Sequence, residues 1–479
     1  MAWASPAAVT LRFRVSTFMA VTRARQIAFD VLRRVESESA YASDLLHAAL
    51  HSGTSSADAA LATELTLGVL RWRRLLDFLI DRRLDKPVER LDLPVALALR
   101  MALYQLRSLD KIPARAAVNE SVELVKQARK SSAAALVNAV LRRLAEEAPS
   151  PAEKFLPPRL DIAERLGILH SHPTWMVARW LARFGEPKTI ALLEADNHPP
   201  RLSCGLHDAV HRAEILGSLE RAGLRIEPGR LLKDAFAASG GSPAESEPFR
   251  AGKISIQDEA SQAVPLLLRV RAGERVLDLC AAPGGKTVAL ARAAGERGAV
   301  VAGDLRVHRL RAMEAQFKRL GLQGIESMQL DASKPLLFAA PFNAILVDAP
   351  CSGTGTLARH PEIRWRLGPA QLTEFHALQT KMLVNALGQL RPGGRLVYST
   401  CSIEPEENED VVAEALSSAS AVRRVPADEA ARTLAPHLAP GVSASELFDQ
   451  AGAFRTLPGE WATDGFFAAL LVRDDSSRA

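Results

Sequence analysis

Four cysteines occur in the 479 residues, and two of them stand where a thiol can do chemistry. Cys351 follows the apolar run Ala344–Val347 in the string Asp348-Ala349-Pro350-Cys351-Ser352-Gly353. Cys401 follows Arg395–Tyr398 in Ser399-Thr400-Cys401-Ser402. Both runs read as strands, which puts each cysteine just past a strand's carboxyl end. If those strands are neighbours, about 4.8 Å apart, both thiols lie over one crevice. A thiolate there can add to an electrophilic carbon and split one difficult step into two easier ones, provided the site lowers a free thiol pKa of about 8.5. A lone cysteine is more often a small buried hydrophobe, and that reading suits Cys204 and Cys280 on their own.

A ligand loop lies upstream. Val276-Leu277-Asp278-Leu279-Cys280-Ala281-Ala282-Pro283-Gly284-Gly285-Lys286-Thr287 reads as a strand, a tight turn of small residues and a helix start. Small residues let the backbone approach a ligand, and the free N–H groups of a helix N-terminus suit a carboxylate or phosphate. Gly285-Lys286-Thr287 matches the end of a phosphate loop, but that motif needs a glycine where Cys280 stands, and no GxGxxG is present. Asp304, nineteen residues past Gly285, ends the next strand, where an acid can hold two ribose hydroxyls. Asp331 closes the string Gln329-Leu330-Asp331 at a third strand end, placed to face an adenine amino group. Taken alone, Asp331 is as well explained as a strand-end cap.

These residues need a sheet to position them. Short apolar runs at Arg275–Leu279, Ala299–Gly303, Ser327–Leu330, Ala344–Val347 and Arg395–Tyr398 alternate with helical stretches. That rhythm indicates βαβ units and a parallel sheet covered on both faces. From Ala24 to about Leu144 the apolar spacing is helical instead, as in Ile27, Leu32, Val35 and Leu97, Leu99, Leu103, Leu106. Ser55 is positioned to cap a helix there. Glu146 to Pro158 reads as a linker, helices are expected around Pro173–Phe184 and Lys188–Asp196, and Ala237–Pro248 reads as a loop. The boundaries that follow are an extension over 1–20, expected to be disordered, an all-α domain over 21–148, a small α+β segment over 159–250 and a catalytic domain over 251–474. Met19 is a candidate start.

Composition narrows the class. A net charge of +5 with a pI near 9.1 suits a polyanionic partner without proving one. The scattered cysteines fit neither a disulfide framework nor a zinc finger, so no metal is expected. The apolar stretch of residues 1–20 is broken by Arg12 and Arg14, unlike a signal peptide, and no window offers the roughly 20 uncharged residues of a membrane span. A cytoplasmic monomer is expected, with no membrane partner. Arg71, Arg73, Arg74, Arg82 and Arg83 form a dense basic stretch on one helix, a candidate RNA contact diluted by Asp77, Asp81 and Asp85.

The strings CAAPGGKT, DAPCSGTGTLARHPEIRW and YSTCSIEPEENE resemble motifs I, IV and VI of the RNA cytosine-5 methyltransferases. The likeness is greatest to the bacterial 16S ribosomal RNA enzymes of the RsmB/Sun (Fmu) type. Gly252–Ser261 and the closing Asp464-Gly465-Phe466-Phe467 also match, and the helical front resembles the NusB fold, an RNA-binding module. The resemblance covers about residues 22–473. It implies a NusB-like all-α domain, a small α+β RNA-binding subdomain and a Rossmann-like class I methyltransferase domain that uses S-adenosylmethionine. It further implies methyl transfer to carbon 5 of a cytosine in 16S ribosomal RNA, cytosine 967 being the family target.

The family's chemistry explains two thiols. Carbon 5 of cytosine is too poor a nucleophile to attack a methyl sulfonium, and a thiolate adding to carbon 6 makes the ring enamine-like. After methylation a base removes the carbon-5 proton and the thiol leaves. By resemblance Cys401 is the nucleophile, Cys351 helps release product, and Asp348 is placed to supply a proton near cytosine N3. Cys280, Ala281, Ala282, Pro283, Gly284, Gly285, Lys286, Asp304, Arg309, Asp331 and Asp348 surround the cofactor by the same argument. One departure is Arg201-Leu202-Ser203-Cys204, where the family has an Arg-x-Asn strand, which bears on substrate contacts in the middle segment. A DNA cytosine-5 methyltransferase also carries a Pro-Cys pair, but its nucleophile is that cysteine, and it lacks the Thr-Cys strand tip and the helical front. A non-catalytic RNA-binding or antitermination protein needs only the front domain, against which the cofactor loop and both cysteines argue.

Overall fold

The computed structural model describes residues 21–38, 40–50 and 53–475. The extension expected over 1–20, with Met19, lies outside the described residues. The chain divides into two units, one ending at Ser171 and one beginning at His172.

The front unit is helical among the described residues, with helices Arg23–Glu38, Ala42–Ala49, Ser56–Asp81, Leu93–Ser108, Ala114–Gln127, Ala134–Glu147 and Ile162–Leu169. Ser55 does cap the long third helix, its hydroxyl accepting from Asp58 N–H. That helix packs closely on Leu93–Ser108 because residue 68 is glycine, where a Cβ would fall 2.1 Å from the Tyr104 ring. The apolar residues picked out by helical spacing, Leu32, Val35, Leu97, Leu99 and Leu103, are buried in one core.

The expected linker over Glu146–Pro158 does not divide the two units. The sixth helix runs to Glu147, a 3-10 turn spans Ala152–Phe155, and Ile162–Leu169 joins the front unit. Asp161 caps that last helix through Ala163 and Glu164 N–H, Ile168 enters the front core, and Glu164 pairs with Arg74 at 2.6 Å. An eight-residue helix with one apolar face is stable only where that face finds a core. Polar and proline-rich composition alone hid this.

The second unit begins with helices Thr174–Phe184 and Glu186–Asn197. A small antiparallel sheet follows, in the order β2-β3-β1-β4, from β1 (Ser203–Leu206), β2 (Arg225–Pro228), β3 (Ala235–Ser239) and β4 (Ile254–Ile256). Strand β3 and a short helix at Glu247–Arg250 occupy parts of the segment read as the loop Ala237–Pro248. The run Ala-Phe-Ala-Ala, followed by Gly and Ser, carries too little alternation to announce a strand, yet β1 and β2 satisfy its backbone on both sides.

The larger sheet contains β5 (Arg275–Asp278), β6 (Ala299–Asp304), β7 (Ile325–Gln329), β8 (Phe342–Asp348), β9 (Leu390–Thr400), β10 (Val422–Arg424), β11 (Ala453–Thr456) and β12 (Phe466–Arg473). Its order is β10-β12-β9-β8-β5-β6-β7, with β11 on β12. Strands β5 to β9 are parallel, as the alternating texture predicts, while β12 runs antiparallel to β9 and carries β10 and β11 antiparallel to itself. Two apolar layers cover the faces, one around Val276, Ala344 and Val397, the other around Leu277, Ile345 and Leu396. That is the period-two split expected of strands buried on both sides.

Candidate active site

Strand order reverses between β5 and β8, and in open α/β sheets ligands gather at such a switch, beyond the carboxyl ends of the strands. Here β5 delivers the Cys280–Lys286 loop, β6 delivers Asp304, and β8 and β9 deliver the two cysteines. Asp348 and Ser399 are register partners on β8 and β9, so the chains diverge from one level. Three residues beyond one and two beyond the other, the sulfurs of Cys351 and Cys401 lie 3.3 Å apart. Gly355 N–H donates to the Cys401 carbonyl at 2.9 Å, holding the segment after Cys351 against the Cys401 turn.

The Cys351 thiol is pushed well above its ordinary value, first by its hydrogen bond to Cys401 and then by burial.

Asp348 joins the pair to the cofactor loop. Its Oδ2 accepts from Lys286 Nζ at 2.7 Å, and its Oδ1 accepts from Ser399 Oγ at 2.7 Å. Lys286 Nζ also lies 5.3 Å from the centre of the Phe466 ring, which gives the closing Asp464–Phe467 string its place in the site. Asp464 pairs with Arg359 at 2.6 Å, locking that string to the segment after Cys351.

Beside Lys286 is a cavity of about 150 Å³ lined by Gln257, Ser261, Asp278, Cys280–Pro283, Gly285, Lys286 and Asp348. The loop over it needs its glycines: Gly284 has φ +100°, and a Cβ there would fall 2.7 Å from Met313. Arg309 donates to the Ala282 carbonyl at 2.6 Å and reaches Asp304 at 3.4 Å, so it pins the loop to the end of β6. Asp304 is 4% exposed and also accepts from Arg306 N–H. Asp331 lies past the end of β7 instead of closing it, and its carboxylate caps the next turn through Ser333 N–H and Oγ, which holds its pKa below the ordinary value. Cys280 lines the cavity, against the simple buried reading, whereas Cys204 is fully buried in the small sheet's core.

Asp278 carries a signal that spacing alone did not single out. It is 1% exposed, its Oδ2 accepts from Thr287 Oγ1 at 2.7 Å, and its Oδ1 is buried with no hydrogen-bond partner. Burial pushes its carboxyl up to about 7. A buried acceptor without a partner at the wall of a cavity awaits a donor from a ligand. That fits the ammonium of an amino-acid-bearing cofactor.

Comparison with known proteins decides the class. The family model for the 16S rRNA methyltransferase RsmB/F matches residues 265–472, and the NusB family model matches 22–146. The probable ribosomal RNA small subunit methyltransferase B of Bacillus subtilis is 32% identical over 457 residues, covering 95% of this chain and 99% of its own length. The chain belongs to the ribosomal RNA small subunit methyltransferase B family. Its Salmonella paratyphi B member is 32% identical over 94% of this chain and 98% of its own. Among solved structures, PH0851 superposes with a TM-score of 0.77 at 25% identity, covering 94% of this chain and 99% of its own. The chain is thus an S-adenosylmethionine-dependent ribosomal RNA methyltransferase with a NusB-type front. The orphaned Asp278 oxygen, the glycine turn and Asp304 fit that cofactor.

In the front unit the arginines of the basic stretch are already partnered or buried. Of the basic stretch, Arg73 pairs with Glu36, Arg74 with Glu164, and Arg82 and Arg83 with Glu147, while Arg71 is 4% exposed. Among the described residues no group of His, Cys, Asp and Glu has metal-site geometry, and no helix is long and apolar enough to cross a membrane.

Proposed function

We propose that this enzyme methylates carbon 5 of a cytosine in 16S ribosomal RNA, the family target being cytosine 967, through a covalent bond between Cys401 and carbon 6. The observation that carries the reading is the cysteine pair, 3.3 Å apart at adjoining strand tips, with Asp348 and Lys286 beside it. Bound S-adenosylmethionine supplies a methyl group on a positively charged sulfur. Cys280 to Lys286, Asp304, Arg309, Asp331 and Asp348 form its surroundings, with Asp278 added.

The steps belong to this chain's side chains. Cys401, as thiolate, adds to carbon 6 and breaks the 5,6 double bond, and a proton reaches N3 from the Asp348–Lys286 pair. Carbon 5 takes the methyl with its new electron pair. Cys351, as thiolate at this step, takes the carbon-5 proton. The carbon 6–sulfur bond breaks to free Cys401 as thiolate, the N3 proton returns to the Asp348–Lys286 pair, and the 5,6 double bond re-forms. What separates this reading from the DNA-type arrangement is the Thr-Cys strand tip at Cys401 and the NusB-type front.

The reaction requires a base lifted out of any stack, at a cost of a few kcal/mol. Binding energy from the NusB-like domain over 21–148 and the α+β subdomain over 159–250 can offset it, with catalysis left to 251–474. The setting is cytoplasmic ribosome assembly. Bisulfite sequencing of ribosomal RNA from a deletion strain tests the proposal. Loss of protection at one 16S cytosine is expected, and a protection pattern unchanged from the parent strain refutes it.

A further inference from the structure

Glu407 follows Cys401 by six residues in a 3-10 turn, and its side chain is completely buried. Its Oε1 accepts from the hydroxyls of Ser352 and Ser402, the latter at 2.6 Å. Its Oε2 accepts from Ser352 N–H at 2.8 Å and from Gln379 Nε2 at 3.0 Å. The two hydroxyls are themselves 3.1 Å apart. Ser352 is the residue after Cys351, and Ser402 the residue after Cys401.

We propose that Glu407 is the positioning residue of the cysteine pair: one buried carboxylate fastens the Cys351 turn to the Cys401 turn and so sets the distance between their sulfurs. The inference rests on the two-cysteine reading of the site.

Stability alone does not account for a carboxylate here. Burial disfavours its charge and pushes its pKa up, and buried charged groups can often be replaced by apolar ones without loss. What an apolar side chain cannot do is accept from both turns at once. The neighbouring residues extend the clamp to the end of β9. Tyr398 donates its hydroxyl to the Glu407 carbonyl at 2.6 Å, and Asn408 reaches Thr400 at 2.5 Å and the Ser402 carbonyl at 2.9 Å. Glu407 touches no lining residue of the cofactor cavity through these bonds, so its loss acts on the thiols and spares cofactor affinity.

The test uses full-length Glu407→Ala, Glu407→Gln and Ser402→Ala. Alanine is expected to lower kcat for methylation about 100-fold with cofactor affinity within about twofold, since misplacement of reacting groups by about 1 Å costs that much. Glutamine should restore kcat to within about tenfold of the parent, because serine hydroxyls can turn to accept from its amide. Independently of activity, oxidation of Cys351 and Cys401 to a disulfide by diamide should slow on the order of tenfold in Glu407→Ala, and less in Ser402→Ala. Ser402→Ala leaves no buried charge unpaired, so it reports even where Glu407→Ala fails to fold.

Unchanged kcat and unchanged crosslinking in a folded variant overturn the proposal, as does a parallel loss of cofactor affinity with no glutamine rescue. Methylation that survives Cys401→Ala sinks the two-cysteine reading instead, and the crosslinking rate still decides what Glu407 does.

Discussion

Replacing Asp278 with asparagine should stabilise the ligand-free enzyme at pH 8 while weakening its hold on S-adenosylmethionine. Burial is the main cause of the Asp278 carboxyl's rise from 3.8 to about 7; the nearby Asp348 charge adds to it, and the Thr287 hydrogen bond and Lys286 oppose it. At about 1.36 kcal/mol per pH unit, that displacement corresponds to on the order of 4 kcal/mol. The sign follows from linkage: a raised folded-state pKa favours the fold fully below the unfolded value and loses that contribution as pH climbs through 7. Asparagine cannot ionise and loses nothing. The stability difference between variant and parent should therefore grow from roughly 1.5 kcal/mol at pH 5 to about 4 kcal/mol at pH 8. Melting curves of both proteins across that range measure it. A difference that does not change with pH refutes the reasoning. The second arm is calorimetric: the parent's cofactor affinity should rise from pH 6 to 8 as the carboxylate forms, and the variant's should stay low and flat.

Asp304→Ala should weaken S-adenosylmethionine binding by about 1–3 kcal/mol, because a charged acceptor at the end of β6 is lost; an unchanged dissociation constant in titration calorimetry contradicts this. Removing the whole front unit through Ser171, not only to the linker first expected near 150, should leave cofactor affinity intact, lower RNA affinity and flatten its salt dependence. If the truncated enzyme binds target RNA as tightly as the full chain at every salt concentration, the front unit contributes no RNA contact.

What was legible in the sequence was periodic or anchored to motifs. The helical spacing of the front and the alternation of short runs from 275 to 398 both reflect burial on fixed faces, so they survive in a single sequence. The cysteines and the glycine turn were legible because their chemistry demands rare residue types at strand ends. Glu407 and Asp278 were visible as letters but not as actors. Glutamate in a run of acids reads as solvated surface, and only folding brings it under both Ser352 and Ser402. An aspartate inside Val-Leu-Asp-Leu-Cys reads as a strand residue until the missing partner of its Oδ1 is seen. The ion pairing of the basic stretch was hidden for the opposite reason: its carboxylate partners Glu36, Glu147 and Glu164 are distant in sequence and left no local trace.

The division of labour between the two thiols is the central claim, and a denaturing gel tests it. Cys401→Ala and Cys351→Ala are each incubated with a target-length RNA and methyl-labelled S-adenosylmethionine. With no thiolate to attack carbon 6, Cys401→Ala should show neither methylation nor a covalent protein–RNA species. Cys351→Ala should attack, transfer the methyl and then stall, accumulating a ribonuclease-sensitive adduct that carries the label. An adduct in Cys401→Ala and none in Cys351→Ala would contradict the account.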